Sequence, residues 1–381
     1  MPSKPHCILV VGAGLAGSVY ARELADAGYQ VHVIDRRAHI AGNCFDEIDA
    51  NGVRVHRYGP HLFHTSNKRV FDWLSRFTEW LPYEHKVVAR MDDGRLAPLP
   101  VNLQTVNMVF GKNFTTATET EHFLSEISEH LDLIETAQDH LYSVIGRALT
   151  DLFFRPYTKK MWQLDLSEMP PEVVRRLKVR PDNDPRYFPD DTFQALPKDG
   201  YTALFGAMLD HNAISVETNR VFDPHDTTGF AHVFNSMAID EFFDFRLGEL
   251  PYRSIRFHTK DIRVEDAPND AVINYTDDGP FTRETWWHNL PGHIFKHTGF
   301  VTRTIEEPCD YRENAMERYY PVKSYEGHEA ALYQKYKLLA ANDKSMSFIG
   351  RCGTYQYLDM HQVVNQSLAG AAKFISAHKP G

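Results

Sequence analysis

The amino-acid sequence predicts an α/β protein with a parallel sheet at its start, a helical insertion in its middle and an antiparallel β-sheet domain after it. Three observations predict this class: a buried strand–helix–strand unit, a long stretch of helical periodicity, and a series of short β segments without long helices between them. With 381 residues and 43% hydrophobic side chains, the chain can bury a large core or several smaller ones.

The composition excludes some classes of partner. There are 41 basic and 51 acidic residues, and the formal net charge of -10 disfavours nucleic acid and anionic membrane surfaces. The four cysteines, Cys7, Cys44, Cys309 and Cys352, are far apart, which predicts no disulfides and suits a reducing compartment. No apolar run approaches the length of a membrane span. We therefore expect a cytoplasmic protein whose anionic ligands, if any, meet a local cluster of arginines.

The first predicted unit is a strand at residues 8–11, a helix at 15–27 and a strand at 31–34. Between the first strand and the helix lies Gly-Ala-Gly-Leu-Ala-Gly at residues 12–17, which fits the G-x-G-x-x-G pattern. In that pattern the first glycine makes the turn, the second admits a pyrophosphate, and the third lets helix and strand pack closely. Asp35 follows the second strand, where a carboxylate can accept the ribose hydroxyls. These features predict a Rossmann-like dinucleotide-binding domain.

The next segments predict a change of architecture. Apolar residues recur at helical spacing over residues 68–81, which predicts an amphipathic helix. Residues 86–101 alternate around Asp-Asp-Gly and predict a β-hairpin. Residues 102–161 contain few glycines and prolines and predict a mostly helical insertion.

The second half of the chain predicts strands and then a return to the first domain. An antiparallel sheet is expected from five short β segments, at residues 214–217, 231–235, 252–259, 271–275 and 300–305. A helix at 330–341, a strand at 346–349 and a last helix beginning near Asp359 complete the chain.

The residues after the second strand favour FAD over NAD as the dinucleotide. Residues 36–43 (Arg-Arg-Ala-His-Ile-Ala-Gly-Asn) continue as in flavoproteins, where this loop follows the pyrophosphate and ribityl chain. Ala41 replaces the first of two adjacent glycines that are usual in that loop.

Several separated motifs resemble the bacterial UDP-galactopyranose mutases, from about residue 8 to residue 372. The motifs are residues 35–43, residues 58–65 (Tyr-Gly-Pro-His-Leu-Phe-His-Thr), residues 157–162 (Tyr-Thr-Lys-Lys-Met-Trp), Arg180 with Asp182, Asn183, Tyr187 and Phe188, residues 243–248 and 250–254, residues 271–277, Thr282 and Arg283, residues 319–322, Gly350 and Arg351, and residues 355–362.

The resemblance implies an isomerase that interconverts UDP-galactopyranose and UDP-galactofuranose without net redox change, in galactofuranose biosynthesis for the cell wall. The implied cofactor is FAD, active when reduced, with flavin N5 attacking the anomeric carbon as UDP departs. A homodimer is also implied.

The resemblance implies roles for particular residues. Arg180, Arg283 and His61 are the expected catalytic residues. Substrate contacts are expected from Phe153, Phe154, Tyr157, Thr158, Trp162, Tyr187, Arg253, Asn274, Tyr320, Tyr357, His85 and Asn102. Cofactor contacts are expected from Gly12, Gly14, Ala16, Gly17, Asp35, Arg36, Gly42, Asn43, Tyr58, His61, Leu62, Val221, Arg351, Asp359, Met360 and Val363. The chain departs from the family at Ala41, at His85, where asparagine is usual, and at residues 235–240.

Three domains are expected on this basis. The Rossmann-like FAD-binding domain comprises residues 1–80, 190–235 and 335–381, and the helical domain with a mobile substrate loop comprises residues 102–165. Residues 81–101, 166–189 and 236–334 form the antiparallel sheet domain.

Two other classes of function are compatible with the FAD-binding motif. An FAD-dependent oxidoreductase of the amine-oxidase type would share the cofactor domain, and a non-catalytic binder of FAD or nucleotide sugars is a third alternative. Two groups of histidines, one at His56, His61 and His64 and one at His288, His293 and His297, lack a zinc-binding spacing, so no metal is expected.

Overall fold

The computed structural model describes residues 7–175, 179–294, 296 and 298–378. Its strands are β1 (Cys7–Val11), β2 (Gln30–Ile34), β3 (Asp46–Ile48), β4 (Arg54–His56), β5 (Phe63–Thr65), β6 (Trp80–Pro82), β7 (Val87–Arg90), β8 (Leu96–Leu99), β9 (Phe193–Pro197), β10 (Ile214–Glu217), β11 (His232–Asn235), β12 (Tyr252–Arg263), β13 (Val272–Tyr275), β14 (Arg283–Trp286), β15 (Phe300–Asp310), β16 (Tyr320–Pro321) and β17 (Met346–Phe348). Its α-helices are α1 (Leu15–Asp26), α2 (Lys68–Leu74), α3 (Leu103–Phe110), α4 (Ala117–Ile127), α5 (Ala137–Leu149), α6 (Arg155–Trp162), α7 (Glu172–Arg175), α8 (Tyr201–Leu209), α9 (Ile239–Phe242), α10 (His328–Ala340), α11 (Gly350–Gly353) and α12 (Met360–Ala377).

A parallel sheet forms the first layer of the molecule. Its strand order is β10-β2-β1-β11-β17, and all of its described pairs are parallel. Ile8, Val10 and Val33 are completely buried, as expected for a sheet that is covered by helices. Helix α1 packs against α8 and α12. The predicted Rossmann-like domain is therefore confirmed.

Two segments that their local pattern placed in the antiparallel sheet lie in this parallel sheet, although the domain division drawn from the resemblance assigned residues 190–235 to the Rossmann-like domain. They are residues 214–217, which form β10 beside β2, and residues 231–235, which contain β11 beside β1. The prediction was wrong because these strands pair with strands that are distant in sequence. Helix α8, which directly precedes β10, is apolar almost throughout and so lacks the amphipathic period that would have revealed it.

The antiparallel sheet has the strand order β16-β12-β15-β14-β13-β7-β8. The long pair β12/β15 and the predicted hairpin β7/β8 are antiparallel, whereas β13 runs parallel to β7. Helices α3 to α6 lie between residues 103 and 162, which confirms the predicted helical insertion. Within it, residues Thr150–Phe154 form a π-helical turn between α5 and α6.

The helix expected over residues 68–81 ends at Leu74. Trp80 begins β6 and pairs with Pro197 of β9. The aromatic side chains that suggested one long helical face instead stack with one another across a small sheet: Phe71 lies 5.3 Å from Trp80 and 4.2 Å from Phe193, and Phe63 lies 5.0 Å from Trp80. The spacing of apolar residues over 68–81 correctly indicated side chains that pack together. It was wrong about the last residues of this range, because Trp80 and Leu81 belong to a strand and not to the helix.

Gly17 offers a test of the close packing between α1 and the turn before it. A Cβ on Gly17 would lie 1.9 Å from the Gly12 carbonyl oxygen, so the helix would have to move. We expect Gly17→Ala to cost about 1–3 kcal/mol of stability, measured as a lower thermal midpoint. Gly206→Ala, in α8 with nothing within 4 Å of its added Cβ, is the matched control and should not lower the midpoint. Equal midpoints for wild type and Gly17→Ala would contradict this account of the packing.

Candidate active site

A first cavity of about 420 Å³ opens where the parallel strands end. Thirteen of the residues expected to contact the cofactor line it: Gly12, Gly14, Ala16, Gly17, Asp35, Arg36, Gly42, Asn43, His61, Val221, Arg351, Met360 and Val363. Helix α1 starts here, and its N-cap residue Gly14 makes no side-chain capping bond. The first N–H groups of α1 are therefore left for a ligand, and phosphate is the ligand that helix N-termini favour.

The loop at residues 36–43 lies against the glycine turn. A Cβ on Gly42 would approach the Gly14 Cα to 2.9 Å, and the Ala41 N–H donates to the Ala13 carbonyl at 3.0 Å. Ala41 has a φ of 72°, in the left-handed region that favours glycine. The departure at Ala41 thus keeps the backbone conformation that a glycine would adopt at this position.

Asp35 is held rigidly at the edge of the first cavity. It is 8% exposed, and its two carboxylate oxygens accept the backbone N–H groups of Ala13 and Arg37, each at 2.8 Å. A carboxylate oxygen has a second lone pair. The side chain can therefore accept a ribose hydroxyl without losing either backbone bond.

A second cavity of about 520 Å³ lies between the antiparallel sheet, the helical insertion and the start of α12. His61, Arg351 and Met360 line both cavities, so the two spaces share a wall. The other predicted site residues that line the second cavity are Tyr58, Leu62, His85, Phe153, Phe154, Tyr157, Thr158, Trp162, Tyr187, Asn274, Arg283, Tyr320, Tyr357 and Asp359. Three expected cofactor residues, Tyr58, Leu62 and Asp359, thus face the second cavity.

Local structure explains how these side chains meet. The π-helical turn brings the consecutive residues Phe153 and Phe154 to the same cavity, and such turns are frequent at functional sites. Lys160 ties α6 to the end of β13, because its Nζ donates to the carbonyls of Tyr275 at 3.1 Å and Asp277 at 2.8 Å. Residues Tyr157 to Trp162 are therefore fixed against the sheet.

Arg283 supplies a half-buried positive charge to the second cavity. It lies opposite Asn274 on the neighbouring strand β13, and its Nε is 2.8 Å from Oε2 of Glu306. Burial lowers the pKa of Arg283, but the Glu306 carboxylate outweighs burial and holds that pKa well above its ordinary value. The guanidinium group therefore stays charged.

His61 is neutral at the wall between the cavities. Burial, and next the neighbouring His56, lower the pKa of His61 to about 3. Its Nδ1 lies 2.9 Å from the Gly59 carbonyl, so Nδ1–H is the donor of the neutral ring. The opposite nitrogen, Nε2, is left as an acceptor.

His85 is a second neutral imidazole in the cavity. Burial, with smaller contributions from Arg283 and His64, lowers the pKa of His85 to about 3. Its Nδ1 lies 3.4 Å from the Tyr83 hydroxyl. A neutral ring can hydrogen-bond to a sugar hydroxyl, as the asparagine usual at this position could.

Aromatic side chains close the cavity near Arg351. The Trp162 ring lies 6.0 Å from Tyr320 and 5.9 Å from Tyr357, and the Arg351 guanidinium lies 5.6 Å and 5.3 Å from the same two rings. Burial raises the pKa of Tyr320 to about 12, so its hydroxyl remains a hydrogen-bond donor.

Three predicted residues lie outside the described lining of the second cavity. Arg180 pairs with Asp182 at 2.8 Å and Asp184 at 2.9 Å. Arg253 is buried, and its Nε donates to the Met161 carbonyl at 3.0 Å, so it supports α6. Asn102 is the N-cap of α3 and accepts the N–H of Thr105 at 3.0 Å.

Sequence reasoning missed several residues that line the cavities, among them Arg37, Arg220, Ser236, Met237 and Arg318 in the first and His64 and His361 in the second. Ser236 follows β11 directly, and its hydroxyl donates to the Val11 carbonyl at 2.7 Å. A correct assignment of β11 to the parallel sheet would have identified it, since ligands bind where parallel strands end.

The described parts of the chain contain neither a group of three or more potential metal ligands nor a helix long and apolar enough to cross a membrane. His297, from the second histidine group, lies outside the described residues.

A parallel sheet with a glycine turn, and beside it a cavity with a half-buried arginine, define an enzyme that uses a dinucleotide cofactor next to an anionic substrate. Residues 152–357 match the family model for UDP-galactopyranose mutase, and residues 10–77 match that for an NAD(P)-binding Rossmann-like domain. The chain therefore belongs to the UDP-galactopyranose mutase family. It is an isomerase with FAD as its cofactor, and oxidoreductases of the amine-oxidase type are only distant relatives.

Similar proteins cover nearly the whole chain. A probable UDP-galactopyranose mutase of Klebsiella pneumoniae is 39% identical over 97% of this chain and 95% of its own length. The dTDP-fucopyranose mutase of Escherichia coli is 34% identical over 98% of this chain and 99% of its own length. The crystal structure of a reduced UDP-galactopyranose mutase has a TM-score of 0.74 at 15% identity, covering 99% of this chain and 94% of that one.

The buried histidines predict acid sensitivity. The pKa values of His56, His61 and His85 are lowered to about 3 by burial, whereas an unfolded histidine titrates near 6.5. Below about pH 6.5 these histidines therefore bind protons in the unfolded chain but stay unprotonated in the folded protein. Each histidine should remove up to about 1.4 kcal/mol of stability per pH unit as the pH falls from 6.5 toward 3.

The measurement is the thermal midpoint of the FAD-bound protein at pH 7, 6 and 5. His85→Asn should lose less on acidification than wild type, whereas His328→Asn, at an exposed position, should behave as wild type does. The same pH dependence in wild type and His85→Asn would contradict the assignment of His85 as a buried neutral ring.

Proposed function

We propose that this protein interconverts UDP-galactopyranose and UDP-galactofuranose. The observation that carries the proposal is the half-buried Arg283, which is ion-paired with Glu306 and lines a cavity that shares a wall with the cofactor cavity. A diphosphate bound at Arg283 would keep the attached sugar in the second cavity, which shares a wall with the cofactor cavity. A nucleoside-diphosphate sugar as the class of substrate is supported by the names of two relatives, a probable UDP-galactopyranose mutase and a dTDP-fucopyranose mutase.

The residues of the first cavity fit FAD. The close approach of Gly14 to Gly42 leaves no room for side chains beside the uncapped start of α1, where the pyrophosphate would be held. The fixed Asp35 carboxylate would accept the ribose hydroxyls. When bound and reduced, FAD supplies a nucleophilic nitrogen for the anomeric carbon of the sugar.

The residues of this chain would then stabilise the leaving group. Negative charge grows on the diphosphate as its bond to the sugar breaks, and a charged guanidinium in a water-excluded cavity is worth more than the same group in water. Arg283 has that charge, and the protonated hydroxyls of Tyr320 and Tyr157, whose pKa values burial raises, can donate to phosphate oxygens.

Uncharged side chains would contact the sugar and the base through hydrogen bonds and stacking. His61 lies at the wall of both cavities, and the Nε2 of its neutral ring can accept a hydrogen bond there. His85 and Asn274 can hydrogen-bond to sugar hydroxyls. Phe153 and Tyr187 offer ring faces on which a pyrimidine base can stack.

Arg180 fits the proposal as a second ligand of the diphosphate only after a movement. It now pairs with Asp182 and Asp184 outside the described lining of the cavity, so it would have to exchange these carboxylates for phosphate oxygens.

Five further expectations stay predictions: the mobile substrate loop, the three-domain division, the homodimer, the cytoplasmic location and the role in cell wall synthesis.

A dTDP-linked 6-deoxyhexose is the second candidate substrate, because the Escherichia coli relative covers as much of the chain as the UDP-galactopyranose mutase does. The two substrates share the diphosphate and a hexose. They differ in the base methyl group, the ribose 2′-hydroxyl and the oxygen at C6.

Turnover tests the proposal directly. The purified yellow protein should convert UDP-galactofuranose to the pyranose form only after reduction by dithionite, because the nucleophilic nitrogen is available only in reduced FAD. Product is measured by chromatography, and no reductant should be consumed per turnover. Faster conversion of dTDP-fucofuranose would favour the second candidate, and consumption of one reductant per product would favour an oxidoreductase.

Arg283→Ala tests the assigned charge. We expect loss of turnover by at least about a hundredfold, with the flavin absorbance unchanged because Arg283 is not in the described lining of the first cavity. Arg90→Ala, which removes an arginine paired with Glu284, is the control and should stay close to wild type in rate. Full activity of Arg283→Ala would remove this residue from the diphosphate site.

A further inference from the structure

Glu306 is a buried carboxylate that lies directly opposite Arg283 on the adjacent strand. Residue 306 of β15 is the cross-strand partner of residue 283 of β14, and the N–H of Thr282 donates to the Glu306 carbonyl at 3.0 Å. Glu306 is only 1% exposed. The sheet backbone therefore fixes where this carboxylate lies relative to the guanidinium group.

The contact between the two side chains is an ion pair with unused hydrogen-bonding capacity. Arg283 Nε lies 2.8 Å from Glu306 Oε2, but this N–H and the other carboxylate oxygen, Oε1, are both buried without a hydrogen-bond partner among the described residues. Buried polar atoms are normally paired, and an unpaired one is costly. Stability alone therefore does not account for Glu306.

The second carboxylate oxygen lies against the loop that contains His61. A Cβ on Gly59 would lie 3.1 Å from Glu306 Oε1, and the Gly59 carbonyl accepts the Nδ1–H of His61. Gly59, with a φ of +84°, thus leaves space for the carboxylate. Glu306 adjoins both Arg283 and the loop of the shared wall, although it is not in the described lining of either cavity.

We propose that Glu306 is a positioning residue that acts through Arg283. Its carboxylate holds the Nε side of the guanidinium group, so that the two Nη groups remain for the diphosphate. Because charge holds the two side chains together at 2.8 Å while the pair makes no hydrogen bond through Nε or Oε1 to any described residue, the guanidinium group can turn toward the diphosphate without leaving its counter-ion. This inference rests on the proposed function, since it assigns the diphosphate to Arg283.

The proposal predicts an effect on kcat more than on substrate affinity. Charge on the diphosphate grows as the bond to the sugar breaks, so correct alignment of Arg283 matters more in the transition state than in the ground state. A misplacement of about 1 Å can cost about a hundredfold in rate. Glu306→Gln keeps the shape of the side chain and removes its charge.

Glu284 provides a matched control. It is the next residue along β14, it is 0% exposed, and its carboxylate pairs with Arg90 at 2.6 Å and Arg303 at 3.3 Å. Successive residues of a strand face opposite sides of the sheet, so Glu284 lies away from Arg283. Glu284→Gln therefore removes a buried carboxylate of the same sheet without touching the proposed site.

The experiment compares FAD-bound wild type, Glu306→Gln and Glu284→Gln by thermal midpoint, UDP binding and steady-state kinetics. We expect Glu306→Gln to lose about tenfold or more in kcat, with KM and the dissociation constant of UDP changed less than about threefold. Glu284→Gln should have a lower thermal midpoint and a kcat within about twofold of wild type. A Glu306→Gln variant with a lowered midpoint and wild-type kcat would assign Glu306 a structural role and overturn the proposal.

A double-mutant cycle tests whether Glu306 acts through Arg283. Arg283→Lys keeps a charge but lacks the fork that can contact Glu306 and phosphate together. If the proposal is correct, Glu306→Gln has little further effect on kcat in the Arg283→Lys background, and full additivity of the two losses would overturn it.

The outcomes separate this inference from the proposed function. Wild type without turnover of either nucleotide sugar would contradict the proposed function. In that case, the losses in thermal midpoint of Glu306→Gln, Arg283→Lys and the double variant still report on the contact between the two side chains, and fully additive losses would overturn the inference. Turnover by wild type together with unaffected kcat in Glu306→Gln would overturn the inference alone.

Discussion

A charged guanidinium group can be buried only where an opposite charge is buried beside it, and the substrate cavity depends on this constraint. Removing an ion from water costs several kcal/mol unless its partner is well placed. Strands β14 and β15 meet the requirement through their register, which sets Arg283 opposite Glu306. The antiparallel sheet thereby delivers a permanent positive charge to the second cavity, in a chain whose overall charge is negative.

The two sheets contribute different parts of one site. The parallel sheet and the uncapped start of α1 form a space suited to a dinucleotide. The antiparallel sheet supplies Arg283 and Asn274, and the helical insertion supplies the aromatic side chains around them. His61 and Arg351 stand where these parts meet. Chemistry between a cofactor and a substrate is possible only at this junction, and its imidazole is kept neutral by burial.

The sequence predicted the parts of this structure that rest on local patterns. The glycine motif, the hairpin at β7 and β8, the helical insertion and the last helix all have such patterns and were confirmed. Strands β10 and β11 were misassigned because pairing between distant segments leaves no local signal. In the site, most of the residues predicted from the motifs line one of the two cavities. They could not show that Arg180 is held by two aspartates or that Arg253 supports α6, because these contacts depend on side-chain packing.

The shared wall between the cavities has a consequence for how this scaffold can diversify. A substitution at His61, Arg351 or Met360 alters both spaces at once, so it cannot retune the sugar nucleotide without disturbing the flavin. Leu99, Pro100 and Val173 line the second cavity and are not in the described lining of the first. Substitutions at these positions can therefore reshape the second cavity without changing the wall that it shares with the first.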